Sequence, residues 1–187
     1  AGHAFTTPNA CPAGDEYDSD ADPATGRTTC VTLPPGGTAL SWAAGLIELL
    51  SIGDYVWRDD ARDGTQADQE IGVEGVVVYL WEGASTVANT TTNAAGAYLF
   101  ENLMPGSYKV QFVLPSSLAD HNFTVKDAAC SPGGDEKDSD ADPLSGMTDV
   151  FELACGEDNM TIDAGIIPPV IGCRMTGGCN DTFDTGQ

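Results

Sequence analysis

Apolar and polar positions alternate in short runs along this chain, and Gly, Pro, Asn and Asp bound the runs. Alternation with period two marks half-buried strands, whereas helical spacing is almost absent, so the pattern predicts an all-β protein. Candidate strands are Thr28–Leu33, Leu40–Leu46, Ile52–Trp57, Val73–Trp81, Thr86–Thr92, Ala97–Glu101, Ser107–Leu114, Asn122–Lys126, Thr148–Leu153 and Met160–Ile166. Thr92-Asn93-Ala94-Ala95-Gly96 reads as a hairpin loop and Met104-Pro105-Gly106 as a turn. Trp42, Trp57 and Trp81 fall on predicted strands and are expected in the core.

A repeat underlies the pattern. DEYDSDADPATG at Asp15–Gly26 recurs as DEKDSDADPLSG at Asp135–Gly146. His3-Ala4-Phe5-Thr6 aligns with His121-Asn122-Phe123-Thr124, and Ala44-Gly45-Leu46-Ile47 with Ala164-Gly165-Ile166-Ile167. Residues 1–50 are therefore expected to be the closing part of a module whose complete copy spans 51–168, with 169–187 as a linker or docking tail. The paired histidines, His3 and His121, read as structural. A sandwich lacking its opening strands exposes backbone edges and an open apolar face. The expectation is that upstream chain or a neighbouring copy covers Thr28–Leu33 and Leu40–Leu46. Strand donation between copies would propagate head to tail into a polymer, with Ile171–Gln187 as one candidate donor.

Charge changes the picture next. Acidic residues number 29 against 7 basic, a formal net charge of −22. Such a surface repels nucleic acid and anionic membranes and attracts divalent cations. No apolar run is long enough to span a bilayer, so no membrane insertion is expected. The carboxylates also cluster. Between Ile52–Trp57 and Val73–Trp81 a loop places Asp59, Asp63, Gly64 and Glu70 at positions 1, 5, 6 and 12 of a calcium-loop spacing, with Ala61 where a third oxygen ligand is usual. Calcium takes about six to eight oxygens, so Thr65 is expected to offer its carbonyl and Glu70 two oxygens, with Asp60 or Asp68 replacing the ligand lost at Ala61. In the repeated loop, Asp138, Asp140 and Asp142 alternate and so share one face, and with Asp135 or Asp163 they form a second candidate Ca²⁺ site. Asp18, Asp20 and Asp22 form a weaker one, because Ala43 stands where the complete copy has Asp163. The competing reading is that such loops are merely solvated turns.

Six cysteines without CxxC metal spacing favour disulfides and an oxidising, extracellular compartment. Local pairing would join Cys11 to Cys30, Cys130 to Cys155 and Cys173 to Cys179. Cys130–Cys155 is the harder bond if Asn122–Lys126 and Thr148–Leu153 are hairpin neighbours, which sets those cysteines at opposite strand ends. Asn89, Asn122, Asn159 and Asn180 occupy glycosylation sequons. No nucleophile–base pair, phosphate loop or zinc spacing argues for an enzyme.

IGDYVW at 52–57, DGTQADQEIGVEGVVVYL at 63–80, TTTNAAGAYLFENLMPGSYKVQFVLP at 90–115, DSDADPLSG at 138–146 and IDAGI at 162–166 resemble the SdrD B-like repeat family of prokaryotic surface proteins, relatives of the collagen-adhesin B domain. The resemblance implies tandem immunoglobulin-like or prealbumin-like β-sandwich modules, the first incomplete, rigidified by calcium and serving in an extracellular surface fibre, filament or layer. The alternative is an adhesin-type module recognising glycan or host protein. Ala61 departs from the family's loop, and the cysteines are not a general family feature. The Lys–Asn isopeptide of related domains is not expected, since Lys109, Lys126 and Lys137 are the chain's lysines and none lies on Val73–Trp81.

Overall fold

The computed structural model describes residues 2–6, 19–30, 32–38, 42–128 and 136–169. Ten strands and one short 3-10 turn (Ser116–Leu118) make up the described structure. The strands are β1 His3–Phe5, β2 Leu46–Glu48, β3 Leu50–Arg58, β4 Val77–Glu82, β5 Ser85–Thr91, β6 Ala97–Leu103, β7 Gly106–Val113, β8 Asn122–Phe123, β9 Phe151–Leu153 and β10 Ala164–Ile167. They form two four-stranded sheets, β6-β3-β10-β8 and β5-β4-β7-β9, and a separate pair β1-β2.

Alternation explains the core. One face of β4 supplies Val78 and Leu80, and one face of β7 supplies Tyr108, Val110 and Phe112, all buried. They join one cluster with Ile52 and Val56 of β3, Tyr98 and Phe100 of β6, and Ala164 and Ile166 of β10. Each fully buried aliphatic or phenyl side chain contributes about 1.5–3 kcal/mol, so this seam between the sheets is the main source of cohesion. Tyr98 meets Phe112 edge-on at 5.6 Å and donates its hydroxyl to the Ile162 carbonyl at 2.7 Å, which satisfies its polar end inside the core. The protein is an all-β sandwich.

Several expected strands are shorter or displaced. The chain at 28–30 and 32–33 is irregular, and Leu33 is 57% exposed. Within the run expected over 40–46, residues 42–45 are irregular and the strand begins at Leu46, while Trp42 is exposed rather than core. Val73 precedes the strand because Glu74-Gly75 turns the chain. There the Gly75 amide donates to the Thr92 carbonyl, and Thr92 Oγ1 accepts from Val76. Asn122–Lys126 and Thr148–Leu153 are not hairpin neighbours: β8 pairs with β10, and β9 with β7. Ladder bonds pass instead to loop contacts, Thr124 N to Gly165 O and Thr148 N to Val110 O.

The repeat is reproduced at the level of register. Phe5 pairs with Leu46 and Ala4 with Ile47 in the first copy, as Phe123 pairs with Ile166 and Asn122 with Ile167 in the second. In both copies a glycine with positive φ closes the acidic loop, Gly26 at +64° and Gly146 at +65°, and a Cβ there would collide with the Phe5 or Phe123 ring.

Candidate metal centre

The loop after β3 is built around Asp59. Its amide donates to the Ile166 carbonyl, and its side chain is fully buried. Oδ1 accepts from the amides of Arg62 and Asp63, and Oδ2 from the Gly64 amide (3.0 Å) and the Thr124 hydroxyl. Gly64, at φ +78°, lets the chain curl inside this reach, and its Cβ position would overlap Val125. Glu70 closes the loop from the other end, accepting from Asp60 N and Ala67 N at 3.0 Å each. Asp63 accepts from the Thr65 hydroxyl and amide, which holds its carboxyl below the usual range. Asp60 is forked by Arg58, and its pKa is lowered by that hydrogen bond. Asp68 is exposed, 3.5 Å from Lys137 Nζ. The carboxylates of Asp59, Asp63 and Glu70 thus accept from the loop's own donors.

The two acidic stretches meet. Thr65 bridges to Asp138 and the Gln66 amide donates to the Lys137 carbonyl, so the DSDAD segment lies beside the first loop. Asp142 caps its own turn, accepting from Leu144 N, Ser145 N and Ser145 Oγ. Asp140 instead clasps β10: its amide donates to Asp163 O at 3.0 Å, and its Oδ2 accepts from Asp163 N at 2.7 Å. The first copy repeats both devices. Asp22 caps Ala24 and Thr25, and Asp20 clasps Ala43 at 2.8 and 2.9 Å. Asp18 and Asp135 lie outside the described residues.

Asp163 is the unusual group. It is fully buried, its Oδ1 accepts from Tyr55 N at 3.0 Å, and its Oδ2 has no hydrogen-bond partner. Burial first, then the neighbouring charges of Asp54, Asp140 and Asp138, push its carboxyl up to about 9, against the lowering effect of the Tyr55 amide. Asp54, in the middle of β3, is itself pushed up to about 6 by burial and by Glu136. Sequence reasoning missed Asp54. The available signal was an aspartate inside a strand, where its type is depleted.

The fit to a cation is uneven. Among the described residues no three carboxylate, histidine or cysteine groups gather into a ready ligand shell. In the first loop Asp59, Asp63 and Glu70 are engaged by local donors. At Asp163, by contrast, a buried oxygen without a donor faces the fields of further carboxylates, an environment that a proton or a cation would relieve.

Cys30 is exposed and free, so the Cys11–Cys30 bond is not made. Cys155 is disulfide-bonded, and Cys11, Cys130, Cys173 and Cys179 lie outside the described residues. Asn89 and Asn122 are exposed on edge strands. The half-buried Asn159 accepts from the Thr161 amide and hydroxyl, and Asn180 lies outside the described residues. No helix among the described residues is long and apolar enough to cross a membrane.

Comparison with known proteins places the sandwich. Serine-aspartate repeat-containing protein I of Staphylococcus saprophyticus is 33% identical over 126 residues, covering 67% of this chain and 6% of that protein. Serine-aspartate repeat-containing protein D of Staphylococcus aureus (strain Newman) is 38% identical over 117 residues, covering 62% of this chain and 8% of that protein. The chain thus spans less than a tenth of these relatives. Among solved structures, GBS52, the minor pilin of Streptococcus agalactiae, aligns with 71% of this chain and 57% of its own at 13% identity and a TM-score of 0.38. Residues 50–166 match the SdrD B-like domain, β3 through β10, and the chain belongs to that family.

Proposed function

We propose that the chain is a stiff structural segment of an extracellular, cell-surface fibre or stalk, non-enzymatic, whose sandwich is rigidified by calcium. The observation that carries the reading is the junction between the copies. β2 ends at Glu48 and β3 begins at Leu50, so a single residue separates a strand of one unit from a strand of the next. That residue is tied down as well, the Leu49 amide donating to the Gly2 carbonyl at 2.9 Å. A flexible linker needs several free residues, and this junction has none.

Calcium enters through the carboxylates. Asp163, Asp54, Asp140 and Asp138 would hold the ion, with Asp163 Oδ2 as the anchoring ligand. Bound there, it would supply positive charge at the buried Asp163 Oδ2, which has no hydrogen-bond partner. Asp59, Asp63, Thr65 and Glu70 would contribute only if the ion displaced the donors that now occupy the three carboxylates. The ion would tie β3 and β10 to the DSDAD segment across the sandwich edge. Scanning calorimetry and native mass spectrometry of the chain, with calcium and with chelator, test this. The expected result is at least one bound ion and a melting transition that falls on chelation. An unchanged transition and no bound ion would refute the calcium reading.

A further inference from the structure

Three glycosylation sequons lie within the described residues, and the fold treats them differently. In Asn122-Phe123-Thr124 the threonine is 1% exposed, and its hydroxyl donates to Asp59 Oδ2. In Asn159-Met160-Thr161 the Asn159 Oδ1 accepts from the Thr161 amide and hydroxyl. The Asn159 backbone is also pinned to β3, donating to Ser51 O and accepting from Gly53 N. A glycosyltransferase takes both the carboxamide and the threonine hydroxyl of a sequon, so neither segment can be presented without local unfolding. Asn89-Thr90-Thr91 is the exception. Asn89 and Thr91 are exposed, and neither side chain has a hydrogen-bond partner among the described residues. Their strand, β5, is an edge, with β4 its one neighbour among the described residues.

The face on which Asn89 stands is a second, independent observation. Val78 and Leu80 point into the core, so Tyr79 and Trp81 lie on the outer face of β4, both half-buried. Register sets Asn89 of β5 on one side of Tyr79 and Gln111 of β7 on the other. Lys109 Nζ already stands 5.7 Å from the Trp81 ring centroid, which leaves Tyr79 as the open ring of the row. No carboxylate pairs with Val77, Tyr79 or Trp81 across the sheet, in a chain with 29 acidic residues. The edge itself is unguarded. β8 and β9 are two and three residues long and β6 carries an exposed Glu101, whereas β5 has seven residues and no charge. A long uncharged edge pairs with other chains unless something blocks it.

We propose that Asn89 carries an N-linked glycan whose first sugars lie over Tyr79 and screen the β5 edge. The Asn89 amide nitrogen attacks the anomeric carbon of a phosphate-activated saccharide held by a glycosyltransferase. The C–N bond forms as the C–O bond to phosphate breaks. The nitrogen gives one proton to the enzyme's base, and the phosphate leaves with the bonding pair. Directly opposed side chains lie about 5 Å apart at Cβ, so a sugar on Asn89 reaches the Tyr79 ring. The C–H face of the sugar packs on that ring, and the Gln111 amide offers donors and an acceptor to its hydroxyls.

Glycopeptide mass spectrometry of the protein taken from its native surface tests the site. The expected result is glycan on the Asn89 peptide, with Asn122 and Asn159 bare. A bare Asn89 would overturn the proposal and leave the face to a protein partner. Equal occupancy of all three sequons would overturn the selection by the fold. Neither result depends on a variant folding. The packing is tested by comparing chain from the native host with chain made in a host that lacks N-glycosylation. The glycosylated chain should melt about 2–4 °C higher, and Tyr79→Ala should abolish the difference while Asn89 stays occupied. A difference that persists in full in Tyr79→Ala would overturn the contact with Tyr79.

Discussion

Replacing Asp163 by Asn should make the calcium-free protein more stable at neutral pH. Asn keeps an oxygen for the Tyr55 amide and offers N–H donors to the surrounding carboxylates, while removing the need to hold a proton at a fully buried position. The folded pKa, about 9, lies above the ordinary 3.8. The native state therefore holds a proton that the unfolded chain has released, and stability falls as pH rises between those two values. Holding that proton at pH 7 costs roughly 4 kcal/mol at about 1.4 kcal/mol per pH unit, an upper bound on what Asp163→Asn recovers. Urea denaturation in chelator at about pH 5 and about pH 8 should show a small gain at the lower pH and a larger one at the higher. With calcium present the sign should reverse, because the variant has lost the anchoring ligand and gains nothing from the ion. A variant that is less stable than wild type at both pH values in chelator, or that retains the full calcium-induced shift, would refute the assignment.

Asp59→Ala strands three loop amides and the Thr124 hydroxyl. Urea denaturation should show a loss of about 3 kcal/mol or more, with or without calcium. Gly146→Ala places a Cβ 2.3 Å from the Phe112 carbonyl and against the Phe123 ring at positive φ, whereas Gly83→Ala meets open space at a similar φ. Thermal denaturation should show about 1 kcal/mol lost at Gly83 and clearly more at Gly146, the difference being steric. Phe5→Ala should loosen the β1–β2 pair, which the Phe5–Leu46 register holds, and leave the 50–166 sandwich intact; residue-resolved hydrogen exchange separates the two.

The strands β3 to β7 and the repeat were legible because both are written locally. Side chains alternate along a strand, and a repeated segment folds alike in both places, down to the matched turn caps of Asp22 and Asp142. Strand limits failed where a loop contact replaced a ladder, as at Thr124 and Thr148. The calcium spacing at 59–70 was legible as a curl of chain around a centre. Spacing alone did not show that the centre is the Asp59 carboxylate, with backbone amides turned inward on it.

By itself the sequence determined the fold class, the family, the repeat and the acidic character, because alternation, composition and self-similarity are properties of neighbouring residues. Only the tertiary structure decided which carboxylates matter to one another. Asp54 and Asp163 are 109 residues apart in sequence, and they influence each other because β10 lies parallel to β3, a pairing that no local pattern encodes. The unequal burial of matching residues in the two copies has the same origin. Leu46 and Ile166 occupy matching places in the repeat, and one is exposed and the other buried because burial depends on which strand arrives beside them.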